Sequence, residues 1–179
     1  MTTPTPPSRD AEHASLSRAL EDNRVDASPT ALEEPTRQLV LFRLAGQRFA
    51  FDGAHVREIL SGEAPVYFVP GVASSVEGVI HLRGHIESVI ALHALLRLTP
   101  GDGVGRVLLV EAAGLRTGVR IDQLDDVCDV ALSALKAPPE TLDTALKPFV
   151  DALIHQSASE AVVVLDANAL LTAFQAGQG

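Results

Sequence analysis

The chain has 179 residues, of which 46% are hydrophobic, and it carries a formal net charge of −9. This length suits one ordinary domain with a sizeable apolar core. The acidic balance argues against nucleic acid as a partner, because phosphates are bound by basic residues, and against attraction to an anionic membrane surface. No apolar run is long enough to span a bilayer, so direct membrane insertion is not expected.

The N-terminal sequence and the cysteine count predict the compartment. The first ten residues, MTTPTPPSRD, lack the apolar segment of a signal peptide. Cys128 is the single cysteine, which excludes an internal disulfide and fits a reducing environment. We therefore expect a cytoplasmic protein.

A change in composition near residue 38 predicts a boundary between a tail and a domain. Met1–Arg37 is rich in proline and polar residues and poor in large apolar ones, so it is predicted to be a disordered tail. Ala11–Leu20 within it has the pattern of a weak helix, too short to be stable alone. The tail is either a docking peptide or simply a solvating segment. Residues 38–179 are predicted to form the folded domain.

The domain begins with a predicted hairpin. Leu39–Leu44 places alternate apolar residues on one face, and Arg48–Asp52 does the same after a turn at Gly46-Gln47. Ala54–Glu58 is predicted to be helical or irregular, and it leads through Ile59-Leu60 into a proline-bounded loop.

Short strands also dominate the second half. Arg106–Ala112 and Leu115–Asp122 alternate around Ala113-Gly114 and predict another hairpin. Asp166 is a plausible N-cap for a closing helix. The remaining predicted elements are a helical turn at Leu92–Leu98, strands at Asp125–Leu132, Phe149–Gln156 and Glu160–Leu165, and the helix Ala167–Phe174. Many short strands with few helices indicate a barrel or a sandwich.

The segment Glu77–Leu92, EGVIHLRGHIESVIAL, contains an arginine at a joint between two strand-like runs. Both runs are rich in β-branched and aliphatic residues, and Gly84 suits a turn or bulge between them. Arg83 is permanently charged and carries a fork of donors, so in this position it is suited to recognise a carboxylate. The alternative is that Arg83 is only a solvated turn residue.

Signatures of catalysis and metal binding are absent from the sequence. It contains no Gly-rich loop followed by Lys-Ser/Thr and no Gly-x-Ser-x-Gly elbow. His81 and His85 are four residues apart, but in strand-like sequence that spacing does not aim them at one metal ion. The acidic run from Asp122 to Asp129 lacks calcium-loop spacing and is predicted to be a solvated strand edge. Cys128 is predicted to be a small buried residue and not a nucleophile. No enzyme activity and no cofactor are expected.

The order of these motifs from Gln38 to Phe174 resembles the CheW family of bacterial chemotaxis coupling proteins. Three parts carry the resemblance: Val56-Arg57-Glu58-Ile59, Gly78 through Gly84, and Val119–Val127. The resemblance implies a mostly-β fold of two small SH3-like five-stranded barrels packed on a shared core, with short helices including a C-terminal one. It also implies a non-catalytic adaptor between two partners, the regulatory domain of a CheA-type histidine kinase and the cytoplasmic tip of methyl-accepting chemoreceptors.

The resemblance implies roles for three residues. Arg83 matches the arginine of the family's Asn-Leu-Arg-Gly motif, which is a surface anchor for kinase and receptor. Glu58 matches a glutamate that pairs with that arginine, and Val56 matches an apolar position that faces the receptor. A carboxylate beside a guanidinium can hold the fork in one rotamer and so reduce the entropic cost of binding.

The chain departs from the family pattern beside this arginine. His81 stands where the family has Asn, and Ile86-Glu87-Ser88-Val89 replaces an apolar-Pro-apolar run. His81, His85 and Glu87 are therefore candidates for modifying which partner is accepted. The pathway stays open among swimming, surface motility, pili and second-messenger output. The alternative function is a stand-alone ligand-binding or regulatory β-barrel protein without a kinase partner.

Overall fold

The computed structural model describes residues 34–101, 103–155 and 160–177, and strands predominate throughout these ranges. The strands form two sheets, which we call lobe 1 and lobe 2. The strands of lobe 1 are β1 Thr36–Leu44, β2 Gln47–Asp52, β8 Gln123–Ala131, β9 Leu135–Lys136, β10 Val150–His155 and β11 Ala161–Leu165. The strands of lobe 2 are β3 Val56–Ser61, β4 Val76–Leu82, β5 His85–Ala91, β6 Arg106–Ala112 and β7 Leu115–Ile121. The mostly-β prediction is confirmed.

The order of strands shows that lobe 2 is inserted into lobe 1. Lobe 1 has the order β8-β1-β2-β11-β10-β9, and lobe 2 has the order β3-β6-β7-β5-β4. Most neighbours are antiparallel, but β11 pairs with β2 and β5 pairs with β7 in parallel. Lobe 2 is thus one continuous stretch of chain, whereas lobe 1 is built from segments on both sides of it.

Within the described ranges, two short α-helices accompany the sheets. Helix α1 spans Leu92–Leu96, and helix α2 spans Ala167–Gln175. The predicted N-cap is confirmed, because the Asp166 carboxylate accepts hydrogen bonds from the backbone N–H groups of Asn168 and Ala169. Short 3-10 turns lie at Gly53–His55, Leu132–Ala134 and Lys147–Phe149.

The two lobes share one hydrophobic core. Both sheets contribute buried side chains to it, and α1 and α2 cover its ends. Phe42 is fully buried in it, with its ring centroid 5.2 Å from that of Phe51 and 6.2 Å from that of Phe49. Each lobe also has a smaller core of its own, and that of lobe 2 is centred on Ile80, Val89 and Val107. The shared core that the family resemblance implied is therefore present.

Three hairpins use the same kind of turn. Ala45-Gly46, Arg83-Gly84 and Ala113-Gly114 each connect two antiparallel strands, and all six residues have positive φ between 49° and 85°. Positive φ at both central residues is the signature of the two-residue turn that matches strand twist. The prediction of a turn at Gly84 is confirmed.

Three predictions about local structure need correction. Ala54–Glu58 was expected to be helical or irregular, but β3 begins at Val56, because β6 provides a partner strand and a bulge accommodates Arg57. Asp125, Asp126 and Asp129 of the acidic run do lie on the edge strand β8, yet Asp125 is not simply solvated, since it pairs with Arg43 at 2.9 Å. Cys128 is half-buried, not buried. Residues 1–33, with the predicted helix at Ala11–Leu20, lie outside the described residues.

Candidate interaction site at the mouth of lobe 2

Arg83 lies at the tip of the β4–β5 hairpin, and its side chain is 77% exposed. Because the turn fixes the backbone and the hairpin is part of a five-stranded sheet, the Cα position has little freedom. Only the side chain remains to be ordered when a partner binds.

Glu58 holds the Arg83 side chain in position before any partner binds. Arg83 Nη2 donates a hydrogen bond to Glu58 Oε1 at 3.0 Å, and Glu58 is the less exposed of the two, at 27%. Glu58 is itself fixed in β3, where it is paired with Leu109 of β6. An ion pair this exposed contributes little to stability, so its main effect is to position the guanidinium. The two residues that the resemblance brought together are in contact.

Val56 lies two residues earlier on the same strand but contributes to a different surface. It is half-buried against the shared core and is paired with Val110. A shallow cleft of about 310 Å³ contains Val56, Glu58 and the exposed Val127. Glu58 and its neighbour Arg57 line both this cleft and the charged surface around Arg83, so the two surfaces adjoin.

The three other candidate residues occupy distinct places around the hairpin. His85 is exposed and lines the same cleft as Arg83. His81 is paired with Ile86, whose side chain is also exposed, and alternation along β4 directs this pair to the opposite face of the sheet. Glu87 is buried beneath the cleft in β5.

The buried carboxylate of Glu87 is paired with Arg116 of β7. Nε of Arg116 donates to Glu87 Oε1 at 2.8 Å, and Nη2 donates to the same oxygen. These hydrogen bonds, with the charge of Glu87, raise the pKa of the Arg116 guanidinium. Sequence analysis missed Arg116 altogether. A signal was available only for its partner Glu87. Residues two apart in a strand share a face, so the spacing of Glu87 and the apolar Val89 could have indicated that Glu87 faces the core.

Two features bear on metal binding and on the reactivity of Cys128 within the described residues. No group of three or more His, Cys, Asp or Glu side chains in the described ranges converges to hold a metal ion. Burial, and then the nearby charges of Asp126 and Asp129, raise the pKa of the Cys128 thiol. A raised pKa keeps the thiol protonated and unreactive at neutral pH.

In the part of the chain that the structure describes, no helix has the length and apolar character required to cross a membrane.

Comparison with known proteins identifies the family. The family model described as "CheW-like domain" matches residues 38–175. The chain belongs to the CheW-like domain family. Two curated CheW-type relatives are similar to it over most of its length. One is a probable chemotaxis protein CheW of Rhizobium etli, 29% identical over 69% of this chain and 81% of that protein. The other is the chemotaxis protein CheW of Bacillus subtilis, 26% identical over 79% of this chain and 91% of that protein.

A solved structure supports the fold. The crystal structure of the scaffolding protein TtCheW from Thermoanaerobacter tengcongensis matches with a TM-score of 0.67 and 24% identity. The match covers 76% of this chain and 92% of that protein. The two-lobed CheW-type fold that the motifs implied is thereby confirmed.

Proposed function

We propose that this protein is a non-catalytic adaptor that couples the regulatory domain of a CheA-type histidine kinase to the cytoplasmic tip of methyl-accepting chemoreceptors. It would act in the cytoplasm, associated with receptor arrays through these partners. Membership of the CheW-like family supports this proposal, since two of its similar relatives are chemotaxis proteins. The surface around Arg83 provides the site.

One observation carries the proposal: an exposed arginine on a rigid hairpin is held in position by Glu58. A partner that contacts Arg83 meets a guanidinium with one rotamer already favoured, so less side-chain entropy is lost on binding. The cleft that contains Val56 and the exposed Val127 adjoins Glu58 and is the proposed contact for the receptor. His81 and His85 lie on opposite faces of the hairpin and would adjust selectivity towards different partners.

The test is a double-mutant cycle on binding to the kinase regulatory domain, measured by titration calorimetry. Arg83→Ala is expected to weaken binding, and Glu58→Ala is expected to weaken it less, because it removes orientation and leaves the contact. The two effects should be non-additive, with a coupling of about 1 kcal/mol, since Glu58 has nothing to orient once the guanidinium is gone.

The chain offers its own control for folding. Arg83→Ala gives the turn the same two residues as Ala45-Gly46 and Ala113-Gly114, so circular dichroism and melting temperature should stay close to those of the parent. Arg106→Ala removes the same charge from the distant end of β6 and should leave binding unchanged. Unweakened binding by Arg83→Ala would show that Arg83 is not the anchor.

The second candidate is a stand-alone ligand-binding or regulatory protein. The observation that favours it is a cavity of about 850 Å³ between α1, α2 and the segment 144–149. This volume is in the range of small-molecule sites. Absence of any binding to the kinase domain, together with a shift in melting temperature when a metabolite library is screened, would favour it over the adaptor.

A further inference from the structure

Three arginine–glutamate pairs surround one end of lobe 2. Arg83 is paired with Glu58, Arg116 with Glu87, and Arg57 with Glu111 at 3.2 Å. Five of these six residues, and the exposed His85, line a single cleft of about 380 Å³, with Glu87 buried beneath it. We call this feature the mouth cleft. The residues that line it are Arg57, Glu58, Leu82, Arg83, His85, Leu109, Glu111 and Arg116.

The charges in the mouth cleft are separated by depth. Arg83 is 77% exposed against 27% for Glu58, and Arg116 is 41% exposed against 8% for Glu87. In both of these pairs the positive end is nearer the solvent, whereas Arg57 and Glu111 of the third pair are about equally exposed, at 53% and 47%. Because a charge close to a ligand acts more strongly than one behind it, an approaching ligand meets the guanidinium groups of Arg83 and Arg116 before the carboxylates paired with them.

The other end of the same barrel has the opposite arrangement. There Arg120 is the more buried partner, at 15% exposure against 35% for Glu77, and it also donates to the carbonyl oxygens of Gly62 and Val104. Arg120 thus satisfies the protein's own acceptors. Outward-facing cations are a property of the mouth cleft and not of every ion pair in lobe 2.

We propose that the mouth cleft binds an acidic segment of a protein partner, in which two carboxylate side chains contact the guanidinium groups of Arg83 and Arg116. This inference rests on the proposed adaptor function and names the chemistry of the partner. It adds Arg116 as a second anchor, and it makes Glu87 a positioning residue that acts through Arg116.

The remaining donors of the two arginines fit this role. Glu87 uses Nε and Nη2 of Arg116, and within the described residues Nη1 has no protein acceptor. Arg83 uses only Nη2 on Glu58. Each guanidinium is therefore held by one carboxylate and keeps at least one N–H group for another, and such charge-assisted hydrogen bonds are among the stronger ones.

The probe is a hexaglutamate peptide, titrated into ¹⁵N-labelled protein and followed by NMR. The side-chain Nε–H signals of Arg83 and Arg116 are expected to shift, whereas hexalysine should shift neither. Arg116→Gln should weaken hexaglutamate binding about tenfold, and the matched control Arg106→Gln should change it less than about twofold. Equal weakening by both variants would show a net-charge effect and overturn the proposal.

The variant Glu87→Gln tests whether Glu87 positions the Arg116 guanidinium or only repels an acidic ligand. If only charge mattered, removing a carboxylate from the cleft would strengthen hexaglutamate binding. Positioning predicts the reverse: the Nε–H group of Arg116 becomes more mobile in heteronuclear relaxation, and affinity falls about threefold. Tighter binding with unchanged Arg116 relaxation would overturn the role of Glu87. Arg116→Gln leaves the buried Glu87 without its charged partner, whereas Arg116→Lys keeps the charge and loses only the fork of donors. Arg116→Lys should therefore also bind hexaglutamate more weakly than the parent.

Binding of the kinase regulatory domain distinguishes failure of this inference from failure of the adaptor function. If the parent and Arg116→Lys bind the kinase domain equally well and also bind hexaglutamate equally well, the adaptor function stands and the role of Arg116 is wrong. If the parent binds hexaglutamate through Arg83 and Arg116 but not the kinase domain, the mouth cleft is an acidic-segment site for a different partner, and only the adaptor function fails.

Discussion

Arg83 has its left-handed backbone because it occupies the first central position of a two-residue hairpin, as Ala45 and Ala113 do in the other two. The conformation follows from the turn, and only the charged side chain is specific to this position. Sequence analysis could predict the joint at Arg83 and Gly84, because a turn is local. It could not predict the pair of Glu87 and Arg116, because no local rule fixes the register between β5 and β7.

A first prediction concerns Asp52 and pH. Burial alone would raise the pKa of this carboxyl, but hydrogen bonds from the Ala54 N–H and from Arg37, with the charge of Arg37, outweigh it and lower the pKa below its ordinary value. A lowered folded pKa means that the carboxylate stabilises the fold above the unfolded pKa, and that this stabilisation is lost as pH falls through the folded value.

Urea unfolding at a series of pH values tests the role of Asp52. Between about pH 5 and about pH 2, the free energy of unfolding of Asp52→Asn should fall less steeply than that of the parent. Arg37→Gln removes one cause of the lowered pKa and should give an intermediate slope. Identical slopes for all three proteins would contradict this account.

At the scale of elements, antiparallel hairpins were predicted correctly and long-range pairings were not. Alternation and turn residues lie within a few positions of each other, so they define β1–β2 and β6–β7 from the sequence alone. The parallel pairs and the two-residue strand β9 depend on partners far along the chain, and β9 was not predicted. The start of β3 at Val56 was missed for the same reason, since it depends on β6.

A second prediction concerns the loop that closes the edge of lobe 2. Tyr67 exchanges backbone hydrogen bonds with Val79 of β4, and a Cβ atom on Gly78 would overlap the carbonyl oxygen of Tyr67. Gly78→Ala should therefore displace the loop and destabilise the protein by about 1–3 kcal/mol in urea unfolding. Gly103→Ala meets only an ordinary contact and should cost less than about 1 kcal/mol. An equal effect of both changes would show that close backbone approach is not the cause.

At the scale of the whole molecule, the shared core joins the two lobes energetically. Leu108 of β6 is fully buried in this core together with Phe49 and Phe51 of lobe 1. Because one cluster receives side chains from both sheets, neither lobe can lose its packing without exposing apolar surface of the other. The family resemblance implied this arrangement, whereas alternation alone could not distinguish a barrel from a sandwich.

A third prediction follows from the shared core. Leu108→Ala should lower the free energy of unfolding by about 2–5 kcal/mol, the range for removing a buried leucine side chain. Hydrogen exchange should report the same unfolding transition in β1 of lobe 1 and β7 of lobe 2. Val104→Ala, at an exposed position, is the control and should have little effect. Separate transitions for the two lobes would contradict a single cooperative unit.

The insertion of lobe 2 into lobe 1 sets an order for folding during synthesis. The ribosome releases β3 to β7 as one uninterrupted stretch, so lobe 2 can complete all its strand pairings while the C-terminal third is still being made. β2, by contrast, is made early but pairs in parallel with β11, so Phe49 has no parallel partner until Val163 has been synthesised. A nascent chain stalled before β8 would carry a paired lobe 2 and a β1–β2 hairpin with both outer edges unpaired, because β8 and β11 are still to be made. Those unpaired edges are the feature that a ribosome-associated chaperone would meet first.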